Sequence, residues 1–128
     1  MTALTLLIII KIVVTIIAVS IPFLFVPHHK LEKLSGFETN NPLIFRLYGI
    51  AITSLLLGYG SGIISAEQGI FPTGIVVMGI LSNCGAAFVI FLYETTFLNR
   101  VLGGIFLSIG LVLSAAFVKQ VWWITTVI

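Results

Sequence analysis

Four long runs of apolar residues constrain this chain more than any other feature of its sequence. Each run is about as long as the 20 residues that an α-helix needs to cross the hydrocarbon core of a bilayer. The runs are apolar on all sides, as in FVIFLY at residues 88–93, whereas a membrane-spanning β-strand would alternate apolar and polar residues. The sequence therefore predicts an all-α integral membrane protein in a single domain. The predicted spans are residues 2–26, 43–64, 72–93 and 101–121.

The composition agrees with lipid as the solvent of this chain. Charged residues make up 8% of the sequence and the mean hydropathy is +1.26, whereas soluble domains carry about 25% charge. The six Lys and Arg residues are scattered, so no basic stripe exists that could neutralise the phosphates of a nucleic acid. We therefore expect membrane lipids, and not nucleic acid, as partners.

Short connections join the four predicted spans. Sequential helices with short connections are usually antiparallel neighbours, so we expect a four-helix bundle. The longest connection, residues 27–41, contains HHKLEKL, in which apolar and basic residues fall on different faces of a helix. This pattern predicts a short interfacial helix that ends at Ser35-Gly36.

Prolines and asparagines mark the predicted helix ends. Asn41-Pro42 combines a capping side chain with a proline at the first helical position, and Pro72 marks the start of the third span in the same way. Asn99 is predicted to cap the fourth span. Pro22 lies inside the first span and cannot donate a backbone hydrogen bond, so a kink is expected there.

The distribution of basic residues predicts the orientation. Cytoplasmic loops carry an excess of Lys and Arg, which places loops 27–41 and 94–100 in the cytoplasm and both termini outside. Tyr59 is expected at the outer interface, where aromatic side chains are enriched. The two sides hold four and two bases, namely Lys30, Lys33, Arg46 and Arg100 against Lys11 and Lys119.

Two segments share a short pattern. RLYGIAITS at Arg46–Ser54 and RVLGGIFLS at Arg100–Ser108 both read R-x-x-G-x-x-x-x-S. If the pattern reflects a duplication, the protein is a parallel repeat of two helix pairs. The alternative is a coincidence between two apolar sequences.

Charged residues inside the predicted spans need partners, because each costs roughly 2.5–3.5 kcal/mol at mid-span. Arg46, Glu94 and Arg100 share one depth, so Glu94 is a candidate ion-pair partner of either arginine. These residues could form a gate or an anionic-headgroup site, or a structural pair with snorkelling arginines. Lys11 lies about 15 Å along the first helix. Its candidate partner is Glu67, and the alternatives are snorkelling or a contact with another subunit.

Asn83, beside Ser82, is the chief mid-membrane amide, and such groups usually form hydrogen bonds between helices. A role in binding a substrate is the alternative reading. Small residues at helical spacing predict close helix packing, within the chain or with a neighbour. The predicted packing residues are Gly58, Gly62, Gly79, Ser82, Ala86, Gly104, Ser108, Gly110 and Ser114.

Residues able to carry chemistry are scarce. The chain has no Asp, no pair of intramembrane carboxylates and no His/Cys cluster for a metal. His28 and His29 are adjacent at a loop entrance, which favours a headgroup-facing pair over haem ligation, and Cys84 is the single cysteine. The sequence predicts no catalytic or metal site and no cofactor, with bound lipid as the remaining ligand.

The arrangement of four short apolar helices, with R-x-x-G at Arg46–Gly49 and Arg100–Gly103, resembles the DoxX-like group of small bacterial membrane proteins. This resemblance implies a location in the bacterial inner membrane and a link to quinone or thiosulfate oxidation. Small multidrug-resistance exporters have the same size and span count, but they depend on a glutamate in the first helix. This chain has Lys11 there, so that mechanism is not available to it.

Three function classes remain. Apolar faces, small-residue stripes and minimal loops favour a non-catalytic accessory or structural subunit that packs against larger membrane proteins. The expected protein partners are other membrane protein subunits or, by self-association, further copies of the chain. The second class is a small oligomeric transporter or channel, with Lys11 and Asn83 lining its path. The third is a quinone-linked redox partner of the DoxX-like kind.

Overall fold

The computed structural model describes residues 1–36, 38 and 41–128, and it is helical through most of that range. Four helical segments are long and apolar enough to cross a membrane, and they begin at Ala3, Leu43, Thr73 and Phe97. The prediction of an all-helical chain with four such helices is confirmed. The elements are α1 (Ala3–Thr15), a π-helical turn (Ile16–Ser20), α2 (Ile21–Phe25), α3 (His28–Ser35), α4 (Leu43–Glu67), α5 (Thr73–Tyr93), α6 (Phe97–Val118) and α7 (Gln120–Thr125).

The outer surface of the four long helices is apolar. Ile17, Leu57, Leu81 and Leu111 lie near the middle of the four segments, and between 59% and 77% of each is exposed. Soluble monomers rarely expose apolar surface on this scale. The helices therefore need lipid, or other membrane helices, around them.

The helices pack as two pairs. The segment from α1 to α2 lies along α4, and α5 lies along α6, whereas α4 and α5 contact each other over a short length. Helices α5 and α6 are antiparallel. Gly79 in the first half of α5 contacts Leu113 in the second half of α6, whereas Gly103 near the start of α6 contacts Ile90 and Phe91 near the end of α5. Leu4 and Ile8 of α1 join the two pairs in one core, together with Tyr59, Val76 and Leu113.

The first spanning helix is irregular just before Pro22. The backbone N–H of Ile21 donates to the carbonyl of Ile16, which closes a π-helical turn over Ile16–Ser20. The helix continues to Phe25, so the proline does not end it. Single π-helical turns of this kind are uncommon in proteins, and many of those that occur lie at functional sites.

The segment between the first two spans forms the short helix α3. Gly36 ends it with φ 71°, the left-handed conformation that glycine adopts without strain. Leu31 of this helix is buried, and Leu34 is exposed. Residues 37, 39 and 40 of the predicted interfacial loop lie outside the described part of the chain.

The two asparagine caps have different outcomes. Asn41 Oδ1 accepts a hydrogen bond from the backbone N–H of Leu43 at 3.0 Å, which confirms the predicted capping side chain. Helix α4 begins at Leu43, so Pro42 precedes the first helical position instead of occupying it. The predicted cap at Asn99 is wrong, because α6 begins at Phe97 and Asn99 lies in its first turn. Its side chain instead donates to Glu94 Oε2 at 2.9 Å and to the Leu34 carbonyl at 3.3 Å. This links α3 to the α5–α6 turn.

Both termini lie at the end of the molecule that holds the α4–α5 turn. The backbone N–H of Ala3 donates to the Thr126 carbonyl at 2.9 Å. Glu67 Oε1 accepts from the Thr2 backbone N–H at 2.8 Å and from the Thr5 hydroxyl. The unpaired N–H groups of a helix N-terminus attract a carboxylate, so Glu67 ties the start of α1 to the end of α4.

Candidate functional site

Lys11 is buried in the interior of the helical assembly. Only 4% of the residue is exposed, and its Nζ lies 4.4 Å from the centre of the Tyr59 ring. Across the described chain, Lys11 forms no salt bridge and no hydrogen bond. A desolvated cation–π contact contributes about 2 kcal/mol, whereas taking a charge out of water costs several kcal/mol. The ammonium group is therefore undercompensated.

A cavity of about 60 Å³ lies beside Lys11. One water molecule needs about 10–15 Å³ of such a cavity, so the cavity has room for a few water molecules or one small solute. None of the residues that line it is acidic. Its walls come from α1 and the π-helical turn, α4, α5 and α6, and they include Lys11, Thr15, Val19, Tyr48, Ile52, Tyr59, Ser82, Asn83, Ala86 and Phe106.

Polar groups from three helices face this cavity. Thr15 lies one turn after Lys11, and its buried Oγ1 has no hydrogen-bond partner in the described structure. Tyr59 Oη and Ser82 Oγ are 3.2 Å apart, which links α4 to α5. Asn83 Nδ2 donates to the Gly79 carbonyl at 2.7 Å within α5. The cavity therefore combines one positive charge with hydroxyl groups in an apolar surrounding.

Helices α4 and α5, which both line the cavity, contact each other at few points. These helices touch at Gly62, where an added Cβ would lie 2.8 Å from Ile75, and at Tyr59 through Ser82. Tyr48 and Leu55 line the cavity on α4, and both are partly exposed at the surface. A solute that entered the cavity from the protein surface would therefore pass these two side chains.

The predicted ion pairs are replaced by other contacts. Glu67 binds the start of α1 rather than Lys11, and its Oε2 lies 3.4 Å from the amino group of Met1. Arg46 donates to the carbonyls of Phe23 and Val26 at 2.8 and 2.9 Å. These carbonyls lie at the end of α2, where a helix leaves its last C=O groups unpaired.

Glu94 and Arg100 do not form the predicted carboxylate–guanidinium pair within the described structure. Glu94 Oε2 accepts from Asn99, while Arg100 reaches only the backbone carbonyl of Glu94, at 3.5 Å. The guanidinium of Arg100 lies 5.8 Å from the centre of the Phe91 ring. Arg46, Glu94 and Arg100 therefore bind groups at helix ends and turns.

The predicted packing residues divide into four groups. Glycines at helix crossings have neighbours within 4 Å of an added Cβ, while Gly104 has none and Ser108 is exposed. Ser114 donates to the carbonyl of Gly110 within α6. The crossing glycines are Gly58, Gly62, Gly79 and Gly110, and the cavity residues are Ser82 and Ala86.

Sequence reasoning missed two residues of the cavity. Tyr59 was expected at an interface, but it is 2% exposed and lies beneath Lys11. Thr15 was not singled out, although its position four residues after Lys11 puts both on one face of α1. This spacing from a charged residue is the signal that could have found Thr15.

Two further sequence candidates lie away from the cavity. The rings of His28 and His29 are 6.0 Å apart at the start of α3, and Cys84 packs against Gly110. In the described residues, no three His, Cys, Asp or Glu side chains come together as a metal site would require.

Comparison with protein-family models, curated proteins and solved structures found no match to this chain. The fold and the site therefore define its class. The protein is a small helical protein with four helices long and apolar enough to span a membrane, and with a largely apolar cavity that Lys11 lines.

Proposed function

We propose that the chain is a small oligomeric transporter or channel that carries a small polar solute through the cavity beside Lys11. One observation supports this most strongly: a buried lysine that has no ion-pair partner among the described residues lines a cavity between four helices long and apolar enough to span a membrane. Ionisable residues at membrane depth are costly and usually mark solute or ion pathways. A purely structural lysine would be expected to reach a partner or the interface.

The same proposal includes a four-helix bundle built as a parallel repeat of two helix pairs. Gly49 packs against Leu24 at the end of the first span, and Gly103 packs against Ile90 and Phe91 at the end of the third. The two R-x-x-G segments thus contact the preceding helix in the same manner. Such a repeat places a solute site at the interface of the two pairs, where the cavity lies.

The proposed orientation puts loops 27–41 and 94–100 in the cytoplasm of a bacterial inner membrane, with both termini outside. The excess of Lys and Arg in those loops supports it. Contacts between the termini and Glu67 agree with a shared side for the termini and the α4–α5 turn.

An osmotic swelling assay tests the transport proposal. Proteoliposomes containing the full chain are shrunk in cationic, anionic or uncharged small solutes, and their reswelling reports solute entry. We expect entry of at least one solute to be faster than in empty liposomes. Lys11→Met should abolish this gain, because it removes the charge that faces the cavity.

Lys119→Met is the matched control, since Lys119 is exposed beyond the end of α6. It should swell as the unmodified protein does. Swelling no faster than in empty liposomes for every solute, or equal swelling with Lys11→Met, would rule out transport through this cavity.

The accessory subunit favoured by the sequence is the second candidate. Gly104 and Ser108 support it, because they form a small-residue face of α6 that no part of the described chain covers. Small residues on a helix face allow a neighbouring helix to approach closely. Extraction in mild detergent followed by native mass measurement should then show a complex with non-identical chains. A homo-oligomer or a monomer would exclude this role.

A further inference from the structure

We propose that the cavity beside Lys11 is a binding site for one compact monovalent anion, such as a halide, nitrate or formate. This inference rests on the proposed function in sharing its site, and it adds the charge and size class of the ligand. Three observations support it: the charge of Lys11, the unpaired hydroxyl of Thr15 and the volume of the cavity.

The charge of the cavity selects an anion. Lys11 supplies one positive charge, and no acidic residue lines the cavity or pairs with the ammonium in the described chain. Electrostatic interactions are stronger in an apolar interior than in water, so a cation would be repelled strongly. One monovalent anion would leave the site neutral, whereas a divalent anion would leave an uncompensated negative charge.

The polar side chains around the cavity differ in whether they already have hydrogen-bond partners. Thr15 Oγ1 has no hydrogen-bond partner in the described structure and almost no accessible surface, so its O–H would reach an anion near Lys11 after a rotation about the Cα–Cβ bond of Thr15. Tyr59 supports the ammonium through its ring, and its hydroxyl is engaged by Ser82. The amide nitrogen of Asn83 is used by Gly79. Lys11 and Thr15 are therefore the two groups expected to hold the anion.

The volume restricts the ligand to a few atoms. A cavity of about 60 Å³ holds a few water molecules at about 10–15 Å³ each, which suits a halide, nitrate or formate. A sugar acid such as gluconate is too large. Tyr48 and Leu55 of α4 are the most exposed of the residues that line the cavity, so the anion would enter past these two side chains.

Chloride NMR line width tests binding on the purified full chain in an uncharged detergent. Exchange between bulk solution and a protein site broadens the chloride signal. We expect broadening that nitrate and formate reverse by competition and gluconate does not. Lys11→Met should lose the broadening, while Lys119→Met, at an exposed position, should keep it.

Thr15→Val provides a second variant that changes one hydroxyl to a methyl group and keeps the charge. It should weaken chloride binding about tenfold, as expected for the loss of one hydrogen bond to a charged group. Circular dichroism confirms that each variant remains helical. The inference is therefore testable even if Lys11→Met does not fold.

Absence of broadening in the unmodified protein would overturn the inference, as would equal broadening in the Thr15→Val and Lys11→Met variants and the unmodified protein. Competition by gluconate as strong as that by nitrate would also overturn it. Chloride binding without solute entry in the swelling assay would support the anion site and exclude transport. Entry of cations alone, without chloride binding, would exclude the anion site and leave transport in place.

Discussion

Replacing Lys11 by methionine is expected to stabilise the protein while it removes function. Methionine keeps the unbranched shape of the lysine stem and carries no charge. Lys11 is 4% exposed and has no ion-pair partner in the described structure. Replacing buried ionic groups by apolar residues of similar volume stabilises proteins by about 1–4 kcal/mol in favourable cases, and we expect a gain within this range.

The gain is measured by unfolding in a titration of denaturing detergent, followed by circular dichroism. Lys119→Met is again the matched control, and it should change the free energy of unfolding by less than about 0.5 kcal/mol, as is usual for surface substitutions. A loss of stability in Lys11→Met would show that the ammonium has a stabilising partner. The charge of Lys11 beside the cavity would then be compensated within the protein.

Replacing Gly110 by leucine should destabilise the protein more than any other single change considered. A Cβ at this position would lie 2.5 Å from Cys84 Sγ and 3.3 Å from the backbone nitrogen of Cys84. The backbone of α5 cannot give way without separating α5 from α6. Overpacking usually costs 1–3 kcal/mol and occasionally more, and we expect a cost of about 3 kcal/mol or above.

Gly104→Leu is the control for this prediction, on the same helix. No other described part of the chain comes within 4 Å of an added Cβ at Gly104, and glycine inside a helix costs about 0.5–1 kcal/mol relative to alanine. Gly104→Leu should therefore leave stability unchanged or raise it slightly. Equal losses for the two variants, measured by the same titration, would contradict the observed pairing of α5 with α6.

The four spanning helices could be predicted because the membrane imposes its demand on each helix separately. Every span must be long, apolar and internally hydrogen-bonded, and those properties are local in sequence. Which helices pair is not local. Gly62 and Gly104 look alike in sequence, yet Gly62 meets Ile75 of α5 and Gly104 meets open space. In lipid, apolar faces do not distinguish a neighbouring helix from the bilayer.

The candidate site could be predicted in part. Lys11 and Asn83 are conspicuous as polar residues within apolar runs, and both line the cavity. The predicted ion pair between Lys11 and Glu67 is wrong, because it was based only on the expected depth of the two residues in the membrane. The Glu67 carboxylate instead accepts a hydrogen bond from the Thr2 backbone N–H at the start of α1. The backbone N–H group has a fixed position, whereas a long lysine side chain can turn away. The DoxX-like resemblance stays a prediction.

Cysteine labelling in membrane vesicles tests most directly the claim that lipid surrounds the four long helices. Single cysteines replace exposed residues at mid-helix (Ile17, Leu57, Leu81 and Leu111) in a Cys84→Ala background, with Lys33, Gln68 and Thr95 as connecting-segment controls. With a water-soluble maleimide, the four mid-helix cysteines should react only after detergent denaturation. Lys33→Cys and Thr95→Cys should react from one side and Gln68→Cys from the other. Prompt labelling at any mid-helix site in intact vesicles would contradict a membrane-spanning fold.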